Sequence, residues 1–383
     1  MRWVMRAVLI VASTLLACLA VEGGVRVYLA MWPLPVAPSE APIVPTPVPL
    51  PYRGGNYYTE AFLRETLAVR LRDTAEPYPL LVDMPGPAIT IVDGRRRTVG
   101  QPAVPVHRVH VFGGSTVVGV EVPDEWTMPS RLQAELASRC GTAVTVENQG
   151  VIAITATYQQ RRLAQASVAP GDVVVFYDGV NDVYHGVFQG FGEDESAMSS
   201  RGDASSESTW LRLTRPMLRG TAVWTLLSSW RQFPPRPPRT VTRAATLTDN
   251  VQAAAARFAD ALTAASVWST TRGAVFVHVL QPHLFATPLS NAYRRSLAAD
   301  RTNVPVGLDR AFAAAYPAFR EAVARTTMAG VTVDASGALP VTSEDDDVFL
   351  DFCHLNHVGN ARIARLIADE IVGRWPDCAT RAR

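Results

Sequence analysis

The feature that most constrains the fold is a set of short, almost entirely apolar segments separated by helix-like stretches. Residues 173–177 and 274–280 are two such segments, and the side chains within them are almost all apolar. Apolar runs of this length without alternation are typical of strands buried on both faces, which occur in parallel sheets. Because helix-like stretches separate these strands, we expect helices to cross over and cover both faces of the sheet.

The pattern extends along most of the chain. It predicts strands at 88–95 (with a turn), 107–112, 143–147, 173–177, 274–280 and 331–333, and helices at 126–139, 158–166, 251–266, 308–326 and 357–372. An apolar content of 48% is ample for the core of such a domain. In parallel sheets, functional sites form in the loops that follow the carboxyl ends of the strands. The net charge of +1 gives no bulk attraction to nucleic acid, so no nucleic-acid partner is expected.

The first 32 residues are predicted to be a membrane anchor. Residues 7–21 carry no charge, and Arg2 and Arg6 precede them and would stay in the cytoplasm. Two alternatives are a cleaved signal peptide and a lipoprotein acylated at Cys18, where residues 15–18 loosely resemble a bacterial lipobox. All three interpretations place the rest of the chain outside the cytoplasm, with the anchor making it a single-pass protein of the cell membrane.

Three further regions are predicted from composition. Residues 33–52 are a linker with eight prolines between 33 and 51, typical of a stiff polyproline II stalk. Residues 53–104 form an N-terminal extension that packs on the main domain, which spans 105–378. Within that domain, residues 187–245 interrupt the strand–helix rhythm and are expected to be an insertion.

Ser115 follows the predicted strand at 107–112 after two glycines. Gly113 and Gly114 allow the backbone to turn sharply and a ligand to approach the main chain. A serine placed there lies beside its own backbone N–H, as a nucleophile next to an oxyanion hole requires. The alternative is an ordinary turn with a serine that caps the following helix.

A base for this serine is present near the other end of the chain. Asp351 and His354 are three residues apart, just before the predicted last helix. In a turn, the carboxylate can accept the Nδ1–H of the imidazole and leave Nε2 to take a serine proton. A metal site that includes His357 is the alternative, but it lacks further ligands at suitable spacing, so no metal is expected.

Two other loops follow predicted strands and carry polar groups. Asn181, in the stretch 178–182, can donate its side-chain amide to an oxyanion, although asparagine is also common in turns. The loop at 148–153 is a tight turn that exposes backbone N–H groups.

Together these motifs resemble those of the SGNH (GDSL-type) hydrolase superfamily. Residues 113–116 resemble the nucleophile motif, with Gly-Gly-Ser in place of the commoner Gly-Asp-Ser. Residues 179–182 match Gly-x-Asn-Asp, and 351–354 match Asp-x-x-His. The resemblance covers about 105–372 and implies a flavodoxin-like three-layer α/β/α fold.

The resemblance also implies the roles of the site residues. Ser115, His354 and Asp351 would form a catalytic triad, and the oxyanion hole would use the N–H of Ser115, the N–H of Ala153 and the amide of Asn181. The family motif that supplies the second donor is weakest here, since Gly150 is an alternative to Ala153.

The implied activity is that of a serine esterase or deacetylase without a cofactor. With the membrane anchor, the expected substrates are acyl esters, including O-acetyl groups on envelope or exported polysaccharide. An O-acyltransferase that uses the same triad and a non-catalytic carbohydrate-binding protein are the alternatives.

The same topology bears on two of the four cysteines. If the helices ending at Cys140 and shortly before Cys378 both begin at the active-site edge, both cysteines lie at the opposite edge. A disulfide between them is then expected in an oxidising compartment, whereas Cys353 is expected to be a small buried side chain.

Overall fold

The structure is a computed structural model. It describes residues 2–31, 52, 55–72, 74, 78–140, 144–190, 246–289, 291–300, 304–340, 347–375 and 378. The linker predicted at 33–52 and the insertion predicted at 187–245 lie almost entirely outside the described residues. The chain divides into two compact units, residues 1–42 with 201–244 and residues 43–200 with 245–383.

In the first unit, the structure describes one helix, α1 (Arg2–Met31). Among the described residues, no helix has the length and apolar character needed to cross a membrane. The predicted membrane-spanning anchor is therefore not supported. The uncharged run at 7–21 ends at Glu22, which pairs with Arg26.

The second unit begins with small elements that precede the main sheet. They are α2 (Glu60–Ala68), β1 (Leu71–Arg72), β2 (Leu80–Leu81), β3 (Met84–Pro85), β4 (Thr90–Val92) and β5 (Arg95–Arg96). Asp93 and Gly94 join β4 to β5 with positive φ at both residues, as a tight hairpin turn requires. Ile89 and Ile91 are buried in one cluster with Val118 and Val122 of the main domain. This apolar contact fixes the segment against the loop that follows Ser115.

A five-stranded parallel sheet forms the centre of the unit. Its strands are β6 (His107–Gly113), β7 (Val144–Asn148), β8 (Val173–Asp178), β9 (Val275–Leu280) and β10 (Val331–Asp334). Their order across the sheet is β10-β9-β8-β6-β7, and every pairing is parallel. The chain leaves β6 to one side for β7 and returns to the other side for β8, so β6 lies at the point where the strand order reverses. Ligands bind at such a point in open α/β sheets.

Helices cover both faces of this sheet. The helices are α3 (Ser115–Val118), α4 (Met128–Cys140), α5 (Ala156–Leu163), α6 (Leu247–Thr270), α7 (Ala292–Ala299), α8 (Leu308–Ala324) and α9 (His357–Arg374). Side chains of α5, α6 and α8 share one buried cluster with Val174 and Phe176. Those of α4 and α9 share another with Val173 and Val175. Neighbouring residues of β8 therefore point into opposite cores, which explains why the strand is apolar throughout.

The predicted three-layer α/β/α parallel sheet is thus confirmed, with small differences at element ends. The helix predicted at 158–166 begins at Ala156, and the helix predicted at 126–139 begins at Met128. Asp124–Trp126 is instead a short 3₁₀ turn that leads into α4. The expected disulfide joins Cys140 at the end of α4 to Cys378 beyond the end of α9.

Candidate active site

Ser115 is placed at the carboxyl end of β6 by the two glycines before it. A Cβ on Gly113 would lie 2.6 Å from the carbonyl oxygen of Tyr177 on the neighbouring strand. A Cβ on Gly114 would collide with the side-chain amide of Asn181. At Gly113 the contact is with backbone, so only glycine fits there; at Gly114 a larger residue would require the Asn181 side chain to move. The chain then begins α3 at Ser115, whose own N–H has no acceptor within the helix and stays available.

His354 and Asp351 lie beside this serine. The Nε2 of His354 is 2.8 Å from Ser115 Oγ, and its Nδ1 is 2.6 Å from Asp351 Oδ2. Burial raises the pKa of Asp351. The charge of His354 and the hydrogen bonds that Asp351 accepts from His354 and Cys353 outweigh burial and lower that pKa to about 2. The ionised carboxylate can only accept, so the proton on this side belongs to Nδ1, and the neutral imidazole accepts the serine proton at Nε2.

The other oxygen of Asp351 shapes the turn that carries both groups. Asp351 Oδ1 accepts the backbone N–H groups of Cys353 and His354, each at 2.8 Å. Asn356 then caps α9 by accepting the N–H of Gly359 at 2.9 Å. One carboxylate thereby fixes the backbone of His354 and orients its ring.

A buried ion pair holds the start of this loop. Arg294 of α7 donates to Asp347 Oδ2 at 3.0 Å, and both side chains are fully buried. Tyr293 donates its hydroxyl to the carbonyl oxygen of Phe349 at 3.1 Å. The loop before Asp351 is therefore anchored to a helix, which limits the motion of the carboxylate relative to Ser115.

Ala153 is the better match for the second backbone donor. Its φ is +62°, a left-handed conformation that is uncommon outside glycine. Among the described residues, no hydrogen bond uses its N–H. Gly150, the alternative, already donates its N–H to Asn148 Oδ1 at 3.0 Å. Of the two predicted positions, Ala153 is therefore the one whose N–H has no acceptor among the described residues.

Asn181 lies between these two loops. Its Nδ2 donates to the carbonyl oxygen of Ile154 at 2.9 Å and lies against Gly114. An amide group has two N–H bonds, so one remains for a ligand. The three predicted donors, the N–H groups of Ser115 and Ala153 and this second amide N–H, thus have no hydrogen-bond acceptor among the described residues.

Asp182, which completes the Gly-x-Asn-Asp motif, ties the two loops together. Its carboxylate accepts the N–H of Ala156 at 3.1 Å, where α5 begins. Burial and the nearby Asp178 raise the pKa of Asp182 to about 8. Asp178 in turn bonds His278 Nε2 at 2.9 Å. These buried groups fix the donors without touching the serine.

Possible metal ligands lie close together at the candidate site. Among the described residues, the close group of possible ligand atoms is that of Asp351, Cys353 and His354, within 4.8 Å of one another. The carboxylate and both imidazole nitrogens are already used in hydrogen bonds. Burial raises the pKa of Cys353 to about 12, which disfavours the thiolate that a metal needs. His357 packs instead against the rings of Tyr57 and Trp126.

Two residues near the site were not predicted from the sequence. Glu121 Oε1 lies 3.5 Å from His354 Nε2, the nitrogen that also meets Ser115. Arg96 is fully buried and holds the loop on which Glu121 lies. Glu121 is the single acidic residue between Ser115 and Asp124. The position of Glu121 close after Ser115 was the available sequence signal. Without the fold, that position does not indicate a contact with His354.

Comparisons with known proteins give structural similarity at low sequence identity. No family model and no curated protein matches the chain. Among solved structures it is similar to Axe2, an acetylxylan esterase from Geobacillus stearothermophilus, with 12% identity and a TM-score of 0.37 over 71% of this chain and 97% of that one. It is also similar to a lipase/acylhydrolase from Enterococcus faecalis, with 14% identity and a TM-score of 0.37 over 70% of this chain and 97% of that one. An α/β hydrolase, LAE5, from the metagenome of Lake Arreo, Spain, has 14% identity and a TM-score of 0.37 over 69% of this chain and 95% of that one. These values are too low to carry a conclusion about activity.

Proposed function

We propose that the protein is a serine esterase that cleaves carboxylic esters through an acyl-enzyme on Ser115. The observation that carries the proposal is the continuous hydrogen-bonded chain from Ser115 Oγ through the His354 imidazole to Asp351, with distances of 2.8 and 2.6 Å. A serine hydroxyl is a weak nucleophile near neutral pH, and a base oriented by a carboxylate is the arrangement that activates it.

The reaction has two halves. Ser115 Oγ attacks the ester carbonyl carbon while its proton passes to His354 Nε2. The tetrahedral intermediate collapses, the bond to the alcohol oxygen breaks, and that oxygen takes the proton from Nε2. A water molecule then attacks the acyl-enzyme with the same histidine as base, which releases the acid and restores the serine.

The donors around Ser115 support the first step. The carbonyl oxygen becomes negatively charged when the serine adds, and fixed N–H groups stabilise that charge. The available donors are the backbone N–H groups of Ser115 and Ala153 and the free amide N–H of Asn181. One donor of this kind is typically worth about 2.7–4 kcal/mol in the transition state.

For the substrate, the proposal is an O-acyl ester on carbohydrate. Its support is an aromatic group near the site: the rings of Tyr52 and Tyr58 lie 4.2 Å apart between centroids. Tyr52 packs against a buried cluster that includes Val118 and Val122, and Glu121 lies between these two valines in the chain. Aromatic walls with a few polar groups are typical of sites for small organic ligands.

Labelling with a fluorophosphonate probe tests the activity. The expected result is one covalent adduct by intact mass, located on Ser115 by peptide mapping, and loss of p-nitrophenyl acetate hydrolysis in Ser115→Ala. Ser167→Ala, a substitution of an exposed serine, is the matched control and should label and hydrolyse normally. A protein that neither labels nor hydrolyses while a known serine esterase does both would overturn the proposal.

A product analysis then separates hydrolysis from acyl transfer. An O-acetylated xylooligosaccharide is incubated with and without an unacetylated acceptor sugar, and acetate and acetylated acceptor are quantified. An esterase gives acetate in equal amount in both. Acetate that falls as acetylated acceptor appears would instead identify a transferase that uses the same groups.

A further inference from the structure

Glu121 lies on the substrate side of the histidine, opposite Asp351. Its Oε1 is 3.5 Å from His354 Nε2, whereas Asp351 binds Nδ1. About a fifth of the Glu121 side chain is exposed, and the His354 side chain is 16% exposed. The carboxylate therefore faces the partly open site.

The backbone around Glu121 is fixed by neighbouring side chains. The guanidinium of Arg96 donates to the carbonyl oxygens of Gly119 at 3.0 Å and Val122 at 2.8 Å, on both sides of Glu121. Thr66 donates its hydroxyl to the carbonyl oxygen of Val120 at 3.2 Å. These contacts hold the backbone on both sides of Glu121, so the fold fixes the point from which its side chain reaches His354.

Among the described residues, His354, Asp351 and Arg96 are charged groups that act on Glu121. Burial and Asp351 raise the pKa of Glu121, whereas His354 and Arg96 lower it, and the net shift is upward. Arg96 is itself paired with Asp124. Burial lowers the pKa of His354, but Asp351, Cys353 and Glu121 together raise it well above its ordinary value. Cys353 is a neutral thiol, so the two carboxylates are the charges that matter.

We propose that Glu121 is a second carboxylate of the catalytic centre, a positioning residue that stabilises the protonated imidazole of His354 from its Nε2 side. This inference rests on the proposed esterase function. In the neutral imidazole, the Nε2 lone pair faces a carboxylate oxygen, and the contact is unfavourable. Once Nε2 takes the proton of Ser115, the same contact becomes attractive.

Two consequences follow for the reaction. Glu121 makes His354 a stronger base toward Ser115, so proton transfer in the first step is favoured. It also keeps a larger fraction of His354 protonated at a given pH, and that fraction cannot act as a base. The pH at which activity appears should therefore depend on Glu121.

The first test is the pH profile of kcat/KM for p-nitrophenyl acetate in Glu121→Gln. Glutamine keeps the shape and removes the charge. We expect the acid limb to move to lower pH by about 1 to 3 units, the range for a charge at this distance. The rate at high pH should fall several-fold because the base is weaker. Glu125→Gln, an exposed carboxylate four residues away, is the matched control and should leave both unchanged.

A second measurement does not need activity. The His354 imidazole is titrated by NMR in the wild type and in Glu121→Gln, with its signal assigned by its absence in His354→Gln. A lower pKa in Glu121→Gln supports the inference. An unchanged pKa overturns it, and so does an acid limb that coincides with the wild type. Loss of activity in Ser115→Ala, measured alongside, shows independently whether the proposed esterase function holds.

Discussion

Arg96 and Asp124 form an ion pair inside the protein, with Arg96 Nε 2.6 Å from Asp124 Oδ1 and the Arg96 side chain fully buried. The same guanidinium donates to two carbonyl oxygens of the loop between Ser115 and Asp124. Asp124 also accepts the N–H of Thr90 at 3.1 Å. The small N-terminal strands are therefore joined to the loop beside the candidate nucleophile by charge as well as by apolar contact.

Arg96→Met should destabilise the protein strongly. Methionine fills much of the space but leaves Asp124 buried without its cation, and losing one partner of a buried pair costs about 3–5 kcal/mol. The bond from Thr90 remains, so a loss of about 3 kcal/mol is expected in urea unfolding. The exposed neighbour Arg97 provides the control: Arg97→Met should change the free energy of unfolding by less than about 0.5 kcal/mol. Equal effects of the two substitutions would contradict the assigned role of Arg96.

Asp351→Asn should remove most activity while the protein stays folded. The amide can hold the turn but does not fix the Nδ1–H form of His354 or stabilise the protonated ring. Under the proposed mechanism, kcat for p-nitrophenyl acetate should fall by about 10³–10⁴. The pKa of Asp351 is about 2, so the wild-type acid limb reports His354 and not this carboxylate. Asp260→Asn on the exposed face of α6 is the control, and a similar loss there would argue against the triad.

Ala153→Gly should stabilise the protein and preserve its activity. Alanine at φ +62° carries a cost of about 1 kcal/mol that glycine avoids, and glycine keeps the N–H. The free energy of unfolding is measured beside that of Ala256→Gly, at an exposed position inside α6. Ala256→Gly should instead lower the free energy of unfolding, because glycine costs about 1 kcal/mol inside a helix. Destabilisation by both substitutions would mean that Ala153 is not strained.

The sequence was most informative where one local pattern had one structural explanation. Continuous apolar runs predicted β8 and β9, and Gly113-Gly114-Ser115 and Asp351 with His354 indicated groups that the fold brings together. Arg96 gave no such signal, because a run of three arginines after a turn is typical of a solvated surface. Its burial depends on Asp124 and on carbonyl oxygens that only the folded loop presents. Glu121 is similar, since its proposed role depends on a contact with His354, which lies 233 residues further along the chain.

The predicted membrane anchor is a case in which composition indicated more than the structure supports. An uncharged run after two arginines indicated a membrane segment from composition, whereas none of the helices in the described part of the chain is long and apolar enough to span a membrane. The choice between Gly150 and Ala153 was also beyond the sequence. It depends on which residue adopts a positive φ and which N–H is already bonded, and both are features of the folded loop.

His110 should make stability depend on pH through a cluster away from the candidate site. Its Nδ1 lies 3.2 Å from Glu147 and its Nε2 lies 3.3 Å from Asp172. Burial lowers the pKa of His110, but the two carboxylates raise it above the usual value. Burial raises the pKa values of Glu147 and Asp172, but their bonds to His110 lower both.

The sign of the effect follows from these shifts. The His110 contribution is complete below a pH of about 6.5 and is lost as the pH rises through its folded pKa. The contributions of Glu147 and Asp172 are present above about pH 4 and are lost as the pH falls through their folded pKa values. Urea unfolding from pH 5 to 9 should show a wild-type advantage over His110→Gln that shrinks as the pH rises. An advantage that is constant or grows with pH would contradict this arrangement.

The disulfide between Cys140 and Cys378 should contribute to stability and not to activity. It spans 238 residues of sequence and joins the end of α4 to the chain beyond α9, whose first residue, His357, follows His354 by three positions. Removing a native disulfide typically costs about 2–5 kcal/mol, chiefly through the unfolded chain. Cys140→Ser should therefore lower the free energy of unfolding by that amount and leave kcat/KM for p-nitrophenyl acetate nearly unchanged at temperatures well below its Tm. Cys18→Ser, at an exposed free cysteine, controls for loss of a thiol and should change neither. Loss of activity in folded Cys140→Ser would show instead that the bond acts on the catalytic end of α9.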